Sequence, residues 1–384
     1  MRKIAFVTGI RSEYDILASI IKKVKAHPGL EEAIIVTGAH LSGQFGNTLR
    51  EIEKDNFIIA EKIETLLAGD TLLSRAKSAA LQYLGLVQAF DRIKPDIIMA
   101  MGDREEAINC AMAGVYLNVP VAHISGGDKV WGNVDDTVRH AVTKLAHLHF
   151  PTTEENSERI RKLGEEEWRI FCVGSAGLDR FVETENLSKE ELSKRIGFSI
   201  TQEPYLLLIQ HPLSSEFEIA EKQMRITLEA IAEAKLKTFV SYPNSDAGSF
   251  GIIKVLEEFT KKYNFINSYR NLGRVEFVNL LRNSSLLLGN SSCGITEAPL
   301  LKLPVINIGN RQKNRQHAEN VIFVEAEKNL ILKAINVSLK DKKFLQKVKN
   351  CVNPYGDGNT GSKIAKILSE IELNSKLLNK DITY

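Results

Sequence analysis

Residues 289–299 read "GNSSCGITEAP": two glycines, two hydroxyls and a carboxylate between an apolar run and the start of a helix. A strand, a Gly-containing turn and then a helix offer free backbone N–H groups and the positive helix end to an anion. Ser291 and Ser292 add hydroxyl donors, and Glu297, one turn in, has the chemistry to take a ribose hydroxyl pair. The plainer alternative is a polar turn with a capping box. Cys293 at the helix start would have a lowered thiol pKa, although no histidine is arranged with it as for a nucleophile.

Other reactive residues also follow short apolar runs. In "DIIMAMGDREEA", Asp103 and Arg104 come directly after such a run; Asp103 either faces a ligand or caps the next helix. "TGIRSEYD" lacks G-x-G-x-x-G, which counts against a dinucleotide cofactor. Its Arg11 either clamps a phosphate near a helix start or lies on the surface. "HISGGDKVWGNVDDTVRHAVTKLAHLHF" is the densest segment, and its paired glycines let the backbone approach a ligand closely. Asp135 with Arg139, and Asp136 with His140, are four apart and expected on shared helix faces as i,i+4 pairs. His140, His147 and His149 have no second cluster at ligand spacing, which argues against a metal. His211 in "QHP" is placed to donate to a phosphate, or is structural.

Positioning these residues is the task of repeated βα units. The runs "KIAFVTG", "EEAIIVTG", "DIIMAMGD", "VPVAHISGG", "LHFPTT" and "RIFCVGS" are short and apolar, as buried parallel strands are. Helical stretches such as 14–26, 72–92 and 104–117 lie between them. The polar stretch 182–202 reads as a linker with one surface helix, after which "YLLLIQHP", "KTFVSYPNSD", "SLLLGNSS" and "PVINIGN" restart the pattern. The sequence therefore predicts an α/β protein of two Rossmann-like domains, 1–181 and 182–358. A C-terminal helix, 359–384, is expected to return to the first domain. Ligands of such sheets bind at the carboxyl ends of the strands, where the polar residues gather, so the expected site is a cleft between the two domains.

The bulk composition agrees. With 43% hydrophobic and 26% charged residues in 384, the chain suits two globular domains. Fifty basic against 48 acidic residues leave +2, which gives no sign of a nucleic-acid partner. Four scattered cysteines and the absence of a membrane-length apolar run lead us to expect a soluble, cytoplasmic protein without membrane contact.

Taken in order, these motifs resemble those of the hydrolysing UDP-N-acetylglucosamine 2-epimerases of sialic-acid and legionaminic-acid biosynthesis. "TGIRSEYD", "GDREEA", "HISGGD", "VDDTVRHAVTKLAHLHF", "QHP", "YPNSDAG", "GNSSCGITEAP", "PVINIGNRQKNR" and "YGDGN" run in the family's order. The resemblance implies a glycosyltransferase-B-like fold, UDP held mainly by the second domain, no cofactor, and a homo-oligomer, dimer or tetramer. It implies that Arg11, Arg104, His211, Asn244, Ser291, Ser292, Glu297 and Arg311 contact a UDP-linked N-acetylamino sugar, with His211 also serving catalysis. Asp103 and Asp135 match catalytic carboxylates. Sialic-acid members often read His-Ile-Glu-Gly-Gly, and here Ser125 stands at the Glu position. Either Asp128 replaces that acid/base or the substrate is a variant such as a 2,4-diacetamido sugar. A UDP-sugar glycosyltransferase of the same fold and a non-enzymatic nucleotide-sugar-binding regulator are the competing readings.

Overall fold

The computed structural model describes every residue except 46, 68, 70, 130–133, 201–203, 245 and 271. Parts of the "HISGGD…NVDD" segment and of the 182–202 stretch, and Ser245 of "YPNSDAG", therefore lie outside the described residues. The chain divides into two compact units, Met1–Val182 with Tyr355–Tyr384, and Glu183–Pro354.

Unit 1 carries β1 (Arg2–Thr8), β2 (Leu30–Thr37), β3 (Ile59–Ile63), β4 (Ile97–Met101), β5 (Val121–Ile124) and β6 (Leu148–Phe150). They form one parallel sheet in the order β3-β2-β1-β4-β5-β6. Its main helices are α1 (Arg11–Ala26), α2 (Leu72–Ile93), α3 (Glu105–Leu117), α4 (Val134–Leu145) and α5 (Thr360–Glu370). The strands read as continuous apolar runs because both faces are covered. Ile4, Phe6, Ile34 and Val36 pack with Ile20 and Ile21 of α1, while Ala5, Val7 and Ile35 pack with Phe90 of α2 and Ala111 of α3.

The last segment of the chain belongs to this unit. Ile364 and Leu368 of α5 are fully buried in the same cluster as α1, each worth ~1.5–3 kcal/mol when removed from water. Buried Asp179 caps α5, accepting from the N–H groups of Thr360 at 2.9 Å and Gly361 at 2.6 Å. Beyond α5 the expected single helix is interrupted, and a short second helix spans Ser375–Leu378. Asn374 starts it by accepting from Leu377 N–H at 3.1 Å, an N-cap bond that belongs to a new helix.

Unit 2 carries β7 (Leu206–Ile209), β8 (Thr238–Ser241), β9 (Ile266–Tyr269), β10 (Leu286–Gly289), β11 (Val305–Ile308) and β12 (Val321–Val324), ordered β12-β11-β10-β7-β8-β9 and again parallel. Within the 182–202 stretch a helix spans Lys189–Ile196, capped by Ser188.

Two differences from the sequence reading have physical causes. "RIFCVGS" makes only a single bridge, Ile170 to His149. Its Arg169 is fully buried and donates to the carbonyls of His147, Lys376, Leu377 and Asn379, tying the segment to the chain's end. Strands β3, β9 and β12 are additional to those expected. Each is a sheet edge, where "IAEKI" and "INSY" carry polar residues because one side of the ladder is uncovered.

In each sheet the order reverses at one place, between β1 and β4 in unit 1 and between β7 and β10 in unit 2. Adjacent crossovers there leave in opposite directions and open a crevice at the strand ends. The loops that flank these points are "TGIRSEYD" and "GDREE" in one unit, "QHP" and "GNSS" in the other.

Candidate active site

At the unit 1 reversal two carboxylates close around Gly9. Its N–H donates to Glu13 Oε2 at 3.0 Å, and a Cβ there would lie 1.8 Å from Glu106 Oε1, so a larger residue would displace the Glu106 carboxylate. Arg104 Nε stands 3.5 Å from Glu106 Oε2, and among the described residues neither atom has a hydrogen-bond partner. Burial, then the charge of Glu106, push Glu13 up to about 8. Burial, then Glu105, raise Glu106 in turn. Sequence reasoning passed over both, although both sit in motifs it quoted, because acidic residues in a helix's first turn ordinarily just complement its dipole.

The capping alternative for Asp103 does not hold. Arg104 occupies the N-cap position of α3, without a side-chain cap. Asp103 instead accepts from Arg139 Nη2, while Arg139 Nη1 donates to the Ser125 carbonyl at 2.7 Å and lies 3.7 Å from Asp128. Arg139 itself is 6% exposed. Asp128 also accepts from Asn156 Nδ2. Of the two expected i,i+4 pairs, His140–Asp136 forms at 3.7 Å, whereas the guanidinium of Arg139 reaches to residues of other loops. The Asp103 carboxyl is raised from its ordinary value, chiefly by burial, with Arg139 opposing the effect and Asp135 adding to it.

Two further features hold this cluster. Ser125 adopts a left-handed backbone, φ 61°, which costs a non-glycine residue ~1–2 kcal/mol. Its N–H donates to the Phe150 carbonyl at 3.0 Å, and its own carbonyl takes the Arg139 bond. His123, fully buried, places Nε2 2.8 Å from the Gly102 carbonyl. The carbonyl can only accept, so Nε2 carries the proton. Burial lowers His123 to about 3, so a neutral ring fixes the turn that presents Asp103. His147 and His149 are likewise structural: the first accepts from Val121 N–H at 3.0 Å, and the second lies 3.0 Å from Glu165. Arg11 stands at the first residue of α1, largely exposed and paired with Glu51 at 3.2 Å.

Unit 2 gathers a different set. Asn244 N–H donates to His211 Nδ1 at 3.1 Å, which makes Nδ1 the acceptor and leaves the proton of the neutral ring on Nε2. Burial, then Arg311, lower the His211 pKa. Asn290, also passed over in the sequence reading, bonds both backbone groups of His211, and its carbonyl accepts from Arg311 and Gln312. Gly289 has φ 118°, and a Cβ there would meet the Ile209 carbonyl at 2.0 Å, which explains the glycine before the asparagine.

The helix after "GNSS" is only Cys293–Thr296, and Ser292, at its N-cap position, makes no side-chain cap. One turn sums few peptide dipoles, so the expected positive helix end is small and the capping box does not form. Ser291 Oγ lies 3.4 Å from Cys293 N–H and 3.1 Å from its Sγ. Cys293 also departs from expectation. Burial, then Glu297, push its thiol up to about 12, the opposite of an activated nucleophile. Glu297 is held near 7, mainly by burial, and accepts from the Thr296 hydroxyl.

Two Rossmann-like parallel-sheet units define a glycosyltransferase-B-like fold, one with a carboxylate–arginine cluster at its reversal point, the other with His211, Asn290 and Arg311. Residues 22–369 match the family described as UDP-N-acetylglucosamine 2-epimerase. The chain is 36% identical over 384 residues, all of both chains, to UDP-N,N'-diacetylbacillosamine 2-epimerase (hydrolyzing) of Legionella pneumophila. It is 35% identical to GDP/UDP-N,N'-diacetylbacillosamine 2-epimerase (hydrolyzing) of Campylobacter jejuni, over 90% of this chain and 89% of that one. Its fold matches the crystal structure of UDP-GlcNAc 2-epimerase from Neisseria meningitidis bound to UDP-GlcNAc at TM-score 0.80 and 18% identity, covering 95% and 99% of the two chains. The chain belongs to the UDP-N-acetylglucosamine 2-epimerase family and is an epimerase.

Proposed function

We propose that this protein is a hydrolysing 2-epimerase that converts a UDP-linked N-acetylamino sugar and water to UDP and the free C2 epimer. The observation that carries the reading is the buried Arg139, which holds Asp103 and Asp128 at the strand ends of unit 1. The C1–O bond breaks to release UDP, and the C2 proton passes to a carboxylate, leaving a 2-acetamidoglucal. Water then adds at C1, and a proton returns to the opposite face of C2. The C2 proton is barely acidic, so departure of the diphosphate leads. The protonated Nε2 of His211, the guanidinium of Arg311 and the Ser291 and Ser292 hydroxyls stabilise that leaving group, each donor being worth ~3–4 kcal/mol in such sites. Asp103 moves the proton, with Asp128 and Asp135 as its neighbours. Glu297 takes the ribose, and Arg11, Arg104 and Asn244 complete the contacts to the nucleotide sugar.

Among substrates we favour a UDP-linked 2,4-diacetamido sugar over plain UDP-N-acetylglucosamine. Ser125 at the family's Glu position and the names of the two relatives at 36% and 35% identity support this choice. Both sugar nucleotides should be offered in D₂O and the products read by mass spectrometry and NMR. We expect one UDP per sugar, a manno-configured product with one deuterium at C2, and the higher kcat/KM for the diacetamido sugar. A gluco product without deuterium would sink the epimerisation, and a requirement for an acceptor would favour a glycosyltransferase.

We also assign the homo-oligomer contact to the exposed apolar side chains of α2 and α3. Leu73, Leu84 and Tyr116 are 63%, 58% and 80% exposed there, and such patches mark interfaces. Sedimentation should show a dimer or tetramer that Leu84→Arg with Tyr116→Arg converts to monomer. An unchanged assembly places the contact elsewhere.

A further inference from the structure

Asn290 is 5% exposed at the end of β10, and every polar group it carries is engaged. Its amide closes a two-point clamp on the backbone of His211, Oδ1 accepting from the N–H at 2.7 Å and Nδ2 donating to the carbonyl at 2.8 Å. Its own carbonyl accepts from Arg311 Nη1 at 3.2 Å and Gln312 Nε2 at 2.9 Å. Its N–H donates to the Ile209 carbonyl at 3.0 Å, across the sheet reversal. A carboxylate of the same size lacks the donor for the His211 carbonyl, and an apolar side chain lacks both groups.

We infer that Asn290 is a positioning residue that sets His211 and Arg311 as one donor unit and, through the His211 backbone, selects which ring nitrogen of His211 carries the proton. The causal chain is short. The clamp fixes the His211 main chain, and that places Nδ1 3.1 Å from the Asn244 N–H. While this bond holds, Nδ1 cannot carry hydrogen, so Nε2 must. If the main chain shifts by a fraction of an ångström, the constraint on Nδ1 lapses. The same side chain keeps the loop carbonyl aimed at Arg311, so one substitution disturbs the histidine and the arginine together. The inference rests on the reading of these two residues as donors to the departing diphosphate.

The test reads the tautomer directly in the free protein and needs no substrate. Nitrogen-resolved NMR of ¹⁵N-histidine-labelled protein should show His211 as the Nε2–H form in the wild type. It should show a mixture of tautomers in Asn290→Ala, and a smaller shift in the same direction in Asn290→Asp, which keeps an acceptor but loses the donor. Calorimetry with UDP should give a dissociation constant raised by about tenfold in Asn290→Ala, the effect of weakening one charge-assisted contact. If Asn290→Ala does not fold, the Asn290→Asp comparison decides alone. An unchanged tautomer in every folded variant overturns the inference, even if melting temperature falls, because Asn290 is then only structural. A changed tautomer with unchanged UDP affinity supports the positioning role and overturns the diphosphate reading of His211.

Discussion

The two sheets share a topology, yet the crevices at their reversal points differ in chemistry. In unit 1 the crevice is lined by groups that gain and lose protons: Asp103, Glu13 and Glu106 are all raised by burial beside Arg104 and Arg139. In unit 2 the crevice combines amides, hydroxyls, the Arg311 guanidinium and a histidine whose pKa is lowered, and its one carboxylate, Glu297, is held near 7 by burial. One fold plan thus carries clustered buried carboxylates beside arginines in one copy and mainly fixed donors in the other, the division that the proposed function assigns to proton transfer and to charge stabilisation. The difference lies in a few residues after two strands, since topology decides where a crevice opens and side chains decide what it does.

The largest effect should come from removing the proton-transfer half. Asp103→Asn keeps the shape and a hydrogen bond to Arg139 but cannot take a proton, so kcat should fall by ~10²–10⁴-fold with UDP affinity nearly unchanged. Steady-state kinetics with calorimetry checks it, and near-normal turnover would return Asp103 to a structural role. Next, His211→Ala should lower kcat by ~10²-fold and also weaken UDP binding, since it removes a donor used by bound and departing diphosphate alike. If UDP affinity and turnover both survive, the division of labour between the crevices fails.

The smallest effect concerns stability. Glu13 is raised to about 8 from an ordinary 4.5, so the folded state holds its proton more tightly than the unfolded chain. Its contribution is full below about 4.5 and is lost as pH rises through about 8. Glu13→Gln should flatten that fall in denaturation midpoint across this window. A midpoint with the same pH slope in both proteins would show that Glu13 ionises freely in the folded state.

Much of this was legible in the sequence. Among the described residues, short apolar runs bounded by Gly, Pro and Asp located nine of twelve strands, because a parallel strand covered on both faces has to be apolar throughout. Strands β3 and β9 escaped because edge strands need no such run, whereas β12, "VIFV", is an apolar edge strand that the sequence reading left out. Asp103, His211 and the "GNSS" loop were found by position after a strand. Glu13, Glu106, His123 and Asn290 escaped for another reason. Their roles depend on partners distant in sequence: Glu106 for Glu13, Gly9 for Glu106, Gly102 for His123 and His211 for Asn290, and no spacing rule links residue 290 to residue 211. The raised thiol of Cys293 and the brevity of its helix likewise depend on packing around the loop.

The return of α5 to unit 1 has a consequence for how the molecule is made. Unit 1 is built from residues 1–182 and 355–384, with the whole of unit 2 translated in between. At ~5–20 residues per second, the face of α1 that receives Ile364 and Leu368 emerges roughly 17–70 s before its cover. Buried Asp179 waits about half as long for the N–H groups of Thr360 and Gly361. Unit 2 can close on its own contacts as it is synthesised, so the half that begins first is completed last. During biogenesis the unit 1 crevice therefore belongs to an unfinished body, and a nascent chain stalled before residue 355 would expose the apolar side of α1 to chaperones.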